Sequence, residues 1–204
     1  MSTDDALLRA WQTGDLQAGD ELVQRYFAPL YRFFSLRLGD EVEDLIQRTF
    51  LDCVETRDKI RDGAFRAYLF RVARNRLIDR IRKRSGQPEF DPHSSAVPDS
   101  ASTTPSRAVV QQQEVQLLQR ALRRLTLDHQ VALGLYYWDG LRTAEIAIVL
   151  GVSPHTVRSR LARARDQLRD EVRVLAESPS VCTSTLEGLD DWATRIGALH
   201  RDEA

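Results

Sequence analysis

Cysteine is scarce: Cys53 and Cys182 are the two in 204 residues, and they stand far apart. That excludes a disulfide framework. Pairing Cys182 with His200 does not make a zinc site either, since such sites draw on three or four protein ligands. Long apolar runs are missing, so no membrane-spanning helix and no membrane insertion are expected. The opening residues Met1-Ser2-Thr3-Asp4-Asp5 are acidic and lack the apolar core of a signal peptide, so the expected location is cytoplasmic. The motifs of catalysis are absent too: no phosphate-binding loop, no HExxH, no nucleophile motif. His93, His129, His155 and His200 are scattered. No enzyme activity, metal or cofactor is expected. Strand signals are weak and there is no internal repeat, which leaves helices as the building material.

Charge is present in quantity but not evenly. The formal net charge is −1, from 29 Lys and Arg against 30 Asp and Glu. From Arg66 to Arg84 the basic residues are Arg66, Arg71, Arg74, Arg76, Arg80, Arg82, Lys83 and Arg84, with Asp79 the lone acid. A second run carries Arg158, Arg160, Arg163, Arg165 and Arg169 against Asp166. Acids gather near the N-terminus, in the middle and in the tail. Local fields decide which polyanion approaches, so two basic segments on a neutral chain are compatible with nucleic-acid binding.

The pattern is helical from residue 4 to about 84. Residues 85–106 break it with Pro88, Pro92, Pro98 and Pro105, many Ser and Thr, the acids Glu89, Asp91 and Asp99, and no Lys or Arg. Such a composition reads as a flexible linker unable to bury a core. Helical periodicity resumes near Val109 and runs to about Ala176, and a second Ser/Pro/Thr break spans 178–185. The expected architecture is all-α: a helical domain over 1–84, a linker over 85–108, a second helical domain over 109–176 and a C-terminal extension over 177–204.

Near the C-terminal end the chain spells a helix-turn-helix. Thr143 is read as the cap of a helix running to Leu150, which Gly151 ends in the left-handed conformation. Ser153 caps the next helix and Pro154 takes its first position, where a missing N–H costs nothing. At 100° per residue Val157, Leu161, Ala164 and Leu168 share the inner face, and His155, Ser159 and Arg163 lie opposite. Thr156 and Arg160 flank one side, Arg158 and Arg165 the other. Short polar groups aimed at base edges with arginines on both shoulders form the layout of a recognition helix. The same layout also describes an amphipathic helix with a solvated arginine face.

Leu122 to Arg169 resembles region 4 of RNA polymerase sigma factors. The stretches that carry the likeness are Tyr137-Trp138-Asp139-Gly140-Leu141-Arg142-Thr143-Ala144-Glu145-Ile146-Ala147 and Val152-Ser153-Pro154-His155-Thr156-Val157-Arg158-Ser159-Arg160-Leu161-Ala162-Arg163-Ala164-Arg165. Upstream, Glu43-Asp44-Leu45-Ile46-Gln47-Arg48-Thr49-Phe50-Leu51 resembles region 2.2. Phe65-Arg66-Ala67-Tyr68-Leu69-Phe70-Arg71-Val72-Ala73-Arg74-Asn75-Arg76-Leu77-Ile78-Asp79-Arg80 resembles regions 2.3 to 2.4. The matches come in family order, cover about residues 7–172, and leave no room for the extra domains of housekeeping sigma factors. They therefore point to the extracytoplasmic-function, or group-four, class of the sigma-70 family. A stand-alone helix-turn-helix regulator is the alternative. The upstream matches argue against it, as does the tendency of such regulators to dimerise on palindromic sites.

The resemblance implies a sigma factor that acts as one copy on core RNA polymerase and promoter DNA. Asp44, Gln47, Arg48 and Leu51 would dock on the clamp of the largest catalytic subunit, with region 4 near the flap of the second. An apolar Leu51 among charges suits such a surface; Ile46, Phe50 and Cys53 take the buried side. In the helix from Phe65, Leu69, Phe70, Ala73, Leu77 and Ile81 form the apolar stripe. The far side carries Arg71, Arg74, Asn75, Ile78, Asp79 and Arg82 and would read the minus-10 element. Arg71, Arg74, Arg82 and Lys83 are the phosphate candidates; Asn75 and Asp79 either touch bases or fix neighbouring arginines. Asp58 to Ala64 is the expected capture loop for a flipped base. His155, Thr156, Arg158, Ser159, Arg160 and Arg163 would read the minus-35 element. The linker either occupies a cationic channel of polymerase or is a solvated spacer.

The chain departs from the family pattern at Glu41, where Asp is usual, and at Thr126, which replaces a frequent Pro and still caps a helix. Ile148 stands where the family usually has a polar residue, and a partner or the tail would cover it. In the tail, Leu186, Leu189, Trp192, Ile196 and Leu199 recur at helical spacing. That stripe either docks on region 2 or region 4 or frays. Family members also include chains held by an anti-sigma factor, a further partner to consider.

Overall fold

The computed structural model describes residues 3–39, 42–86, 89–96, 111–176 and 179–187. The described residues form nine α-helices and no sheet, apart from a single isolated bridge between Ala96 and Thr126. The all-α expectation holds.

The first half is built from α1 (Asp4–Gln12), α2 (Leu16–Leu38), α3 (Glu43–Thr56) and α4 (Phe65–Ser85). Thr3 and Asp15 cap the first two by accepting the amides of Ala6 and of Gln17 and Ala18. Their contact is close enough to need Gly19: a Cβ there would stand 2.6 Å from the Trp11 indole nitrogen. Leu8, Leu22, Leu30, Phe34, Phe65 and Phe70 fill the core between these helices. The stripe Leu69, Phe70, Ala73, Leu77 and Ile81 of α4 is fully buried, as its spacing predicts. On α3, Ile46 and Cys53 are buried and Phe50 is partly so. Burial pushes the Cys53 thiol up to about 12, consistent with a packing role.

The second half comprises α5 (Gln111–Arg124), α6 (Leu127–Tyr137), α7 (Thr143–Leu150) and α8 (Pro154–Leu175), which close around Leu118, Leu122, Leu125, Val131, Ile146, Val157 and Leu168. Thr126 caps α6 by accepting the His129 amide at 3.4 Å.

Three expectations need correction. Thr143 is the first residue of α7 and not its cap; the Glu145 carboxylate reaches back to the Arg142 amide at 2.9 Å and does that work. The linker is not barren of packing. Phe90 is buried, and the Leu127 and Asp128 amides donate to the carbonyls of Ser95 and Pro92 at 3.0 Å each, so residues 90–96 run against the start of α6. One aromatic in a polar stretch suffices to anchor it. Residues 179–187 form a helix, α9 (Pro179–Glu187), where the composition reads as a break. Proline at its first position is compatible with helix entry, and α9 packs on α5 and α8 with Thr185 buried. Of the tail stripe, Leu186 packs against the core; Leu189, Trp192, Ile196 and Leu199 lie outside the described residues, as do Glu41 and the linker beyond Ala96.

Candidate nucleic-acid interface

The helix-turn-helix forms as its residues dictate. Gly151 ends α7 at φ 67° and ψ 34°, a left-handed conformation that a side chain would strain. The Ser153 hydroxyl accepts the Thr156 amide at 3.1 Å, and Pro154 opens α8. Val157, Leu161, Ala164 and Leu168 are buried, so the opposite face is turned outward. His155, Arg158 and Arg163 are exposed, and Thr156 and Ser159 half-buried. Arg165, on the shoulder, reaches the Tyr137 hydroxyl at 3.3 Å. Arg160 is different: its side chain is 15 % exposed and donates to Asp128 Oδ2 at 2.6 Å.

On α4 the wheel reading places six residues outward, and four are exposed: Arg71, Asn75, Asp79 and Arg82. Lys83 is exposed as well. Arg71 lies over the Tyr68 ring at 5.2 Å. Arg74 and Ile78 are buried, because the second half of the molecule covers them. Arg74 donates through Nε and Nη2 to Asp128 Oδ1 at 3.1 and 2.6 Å. Asp128 is thus a hub, 1 % exposed, which also meets His93 of the linker. Further pairs join the halves. Arg32 bonds Asp139 at 2.5 Å. Arg66 grips both Glu145 oxygens at 2.8 and 3.0 Å, and Arg37 donates to the Gln130 carbonyl at 2.9 Å. Burial lowers Arg37 to about 10 and raises the Asp139 carboxyl against the pull of Arg32. Burial would raise Glu145 too, but the Arg142 amide and the Arg66 guanidinium outweigh it and hold the carboxyl below its ordinary value.

Sequence reasoning misses Asp128, Asp139, Glu145, Arg32 and Arg37 as a set. An acid in the first turn of a helix reads as a dipole-stabilising residue, and nothing in its neighbours announces an arginine from more than fifty residues away.

The loop from Asp58 to Ala64 is pinned to α1. The Gln12 amide donates to the carbonyls of Arg57 and Ile60 at 2.8 and 3.0 Å, and the Gly63 N–H to Asp5 at 2.7 Å. Ile60 is buried.

On α3 Asp44, Gln47, Arg48 and Leu51 are all exposed, with Arg48 bonded to Asp44 at 2.9 Å one turn earlier. Leu51 borders an open apolar groove of 280 Å³ whose wall includes Val23, Phe27, Ile46, Phe50 and Val54. Leu51, Phe27 and Val54 are each more than a third exposed. Sequence reasoning names Leu51 alone, because Val23 and Phe27 come from α2 and join the patch only by packing. Ile148 is 45 % exposed among the described residues. No described helix is long and apolar enough to cross a membrane, and no group of three or more His, Cys, Asp or Glu able to hold a metal occurs among the described residues.

A helix-turn-helix half, a basic helix in a second half and a separate apolar docking face define a DNA-binding protein that also binds protein. Family models match in that order: "Sigma-70 region 2" over residues 20–87 and "Sigma-70, region 4" over 115–168. The ECF RNA polymerase sigma factor SigM of Mycobacterium tuberculosis is 31 % identical over 169 residues, covering 81 % of this chain and 83 % of its own length. The RNA polymerase sigma factor NccH of Alcaligenes xylosoxydans xylosoxydans is 33 % identical, covering 82 % and 93 %. A structure of CnrH in complex with the cytosolic domain of CnrY shares the fold at a TM-score of 0.63 and 24 % identity, over 85 % of this chain and 99 % of that one. The chain belongs to the ECF RNA polymerase sigma factors of the sigma-70 family. Membership makes it a promoter-directing factor of transcription initiation and disfavours the stand-alone regulator.

Proposed function

We propose that α3 docks on the clamp of the largest catalytic subunit of core RNA polymerase through Asp44, Gln47, Arg48 and Leu51, with the second half near the flap of the other large subunit. On this reading α4 meets the minus-10 element with Arg71, Arg74, Asn75, Asp79, Arg82 and Lys83. The α8 helix meets the minus-35 element with His155, Thr156, Arg158, Ser159, Arg160 and Arg163. Residues 1–84 and 109–176 are the two working halves, 85–108 the link between them and 177–204 an extension. The protein acts in the cytoplasm, as one copy per polymerase, without chemistry of its own. An anti-sigma factor is a further proposed partner.

The observation that carries the reading is the exposed apolar groove around Leu51, on the opposite side of α3 from its buried residues, in a chain whose α8 turns a polar, arginine-flanked face outward. A lone DNA-binding regulator needs the second feature and has no use for the first.

Run-off transcription with purified core polymerase tests it, on a pool of genomic promoters with and without the protein. Transcripts that appear only with the protein are expected. Their absence, together with no complex on gel filtration, would refute the assignment.

A further inference from the structure

The contacts between the halves have a consistent polarity. Every cation comes from the first half: Arg32 and Arg37 on α2, Arg66 and Arg74 on α4. Every acceptor comes from the second: Asp128 and the Gln130 carbonyl on α6, Asp139 in the loop after it, and Glu145 on α7. Two of the pairs are shielded from water, Arg32 with Asp139 at 8 % and 6 % exposure and Arg74 with Asp128 at 11 % and 1 %. Salt screens such pairs weakly.

One carboxylate holds both DNA-facing helices. Asp128 receives Arg74 of α4 on one oxygen and Arg160 of α8 on the other, each at 2.6 Å. Linker residue His93 and recognition-helix residues Ser159 and Arg163 line a single polar cleft of 130 Å³ beside it. The elements these helices are proposed to read are separated by about 25 base pairs, or roughly 85 Å at 3.4 Å per step. Two helices whose arginines meet at one carboxylate cannot span that distance.

We infer that this arrangement is a closed resting form, locked by the pairs of Arg32, Arg66 and Arg74 with Asp139, Glu145 and Asp128. The halves must part before both promoter elements can be engaged. The lock rests on the reading of α4 and α8 as DNA-facing. In the closed form Asp128 stands where a backbone phosphate would stand for Arg74 and Arg160: an acceptor-only anion taking charge-assisted bonds. Docking on polymerase and the arrival of phosphates then compete with the acids of the second half, and the linker supplies the length for separation.

The test uses the full chain. D139R sets a cation against Arg32, Arg37 and Arg66. The R32E/D139R exchange returns that pair with its sign reversed. R32E/R66E attacks the same contacts from α2 and α4, and serves if D139R loses helical circular dichroism. Solution X-ray scattering of the native chain should give a radius of gyration near the roughly 17 Å of a compact chain this long. In D139R and R32E/R66E it should rise by about 5 Å, the effect of moving two tethered halves apart. The exchange should return toward the native value. With core polymerase, D139R should reach half-maximal run-off transcription at a concentration about tenfold lower, because the competent form no longer has to be drawn from a minor population. A native radius already as large as that of the variants, or variants that stay folded and keep the native radius, would overturn the lock. Scattering involves no polymerase: opening without transcripts from any form sinks the proposed function and leaves the lock standing, and transcripts without any change in radius do the reverse.

Discussion

The apolar groove on α3 yields a quantitative prediction. Leu51 is 51 % exposed, so roughly half of its side chain remains to be buried by a partner. Full burial of a leucine is worth about 1.5–3 kcal/mol, and the remaining half about 1 kcal/mol. L51A should therefore weaken binding to core polymerase about fivefold. L51D also brings a charge into the groove shaped by Phe27, Phe50 and Val54. Desolvating it without a partner adds at least about 2 kcal/mol, for a total near 3 kcal/mol and a loss of about 150-fold. The folded chain should tolerate both changes, since helix propensity alone costs about 0.7 kcal/mol for aspartate. The assay is a titration of labelled protein with core polymerase, followed by anisotropy, with thermal melts as a control on folding. If both variants keep native melts and bind within twofold of the native protein, Leu51 is an ordinary solvated leucine and the docking assignment is wrong.

Other outcomes follow from single contacts. R163A and S159A should each lower transcription from minus-35-dependent promoters about tenfold, the lower half of the range for one base or phosphate contact, with polymerase binding unchanged; equal output on promoters with and without the element would contradict the assignment. G19A should lower stability by about 1–3 kcal/mol in a urea melt, because its Cβ would meet the Trp11 indole at 2.6 Å and the helices must shift; an unchanged midpoint would mean that the ring moves freely. Burial depresses His129 below its ordinary 6.5 while its ring bonds Gln167 of α8 at 2.9 Å. Its contribution is therefore complete above pH 6.5 and is lost as pH falls through the lower folded value. The melting temperature of the native chain should drop between pH 7 and 5 by more than that of H129Q; equal drops would assign the effect to other groups.

Most of the two working surfaces was legible in the sequence, because both depend on periodicity. Val157, Leu161, Ala164 and Leu168 recur at helical spacing, so their burial directs His155, Arg158 and Arg163 outward. The same holds for the core stripe of α4. The failures lie where another element intervenes. Ile78 and Arg74 sit on a face the wheel calls exposed, and the second half covers them. Phe90 is one aromatic in a polar stretch, too little for composition to register and enough to pin the linker. Residues 179–187 show no strong helical pattern, yet they pack on α5 and α8. Tertiary packing supplies most of a short helix's stability.

The sequence by itself determined the all-α class, the order of the halves, the helix-turn-helix and the family, since each is encoded in local spacing, caps and motif order. Only the tertiary structure decided which charges are free. Arg74, Arg160 and Asp128 read as ordinary surface residues along the chain, and they become a single buried cluster when the two halves close. Ion pairs between segments more than fifty residues apart leave no periodic trace, because their partners are chosen by how helices pack and not by what stands beside them in the chain.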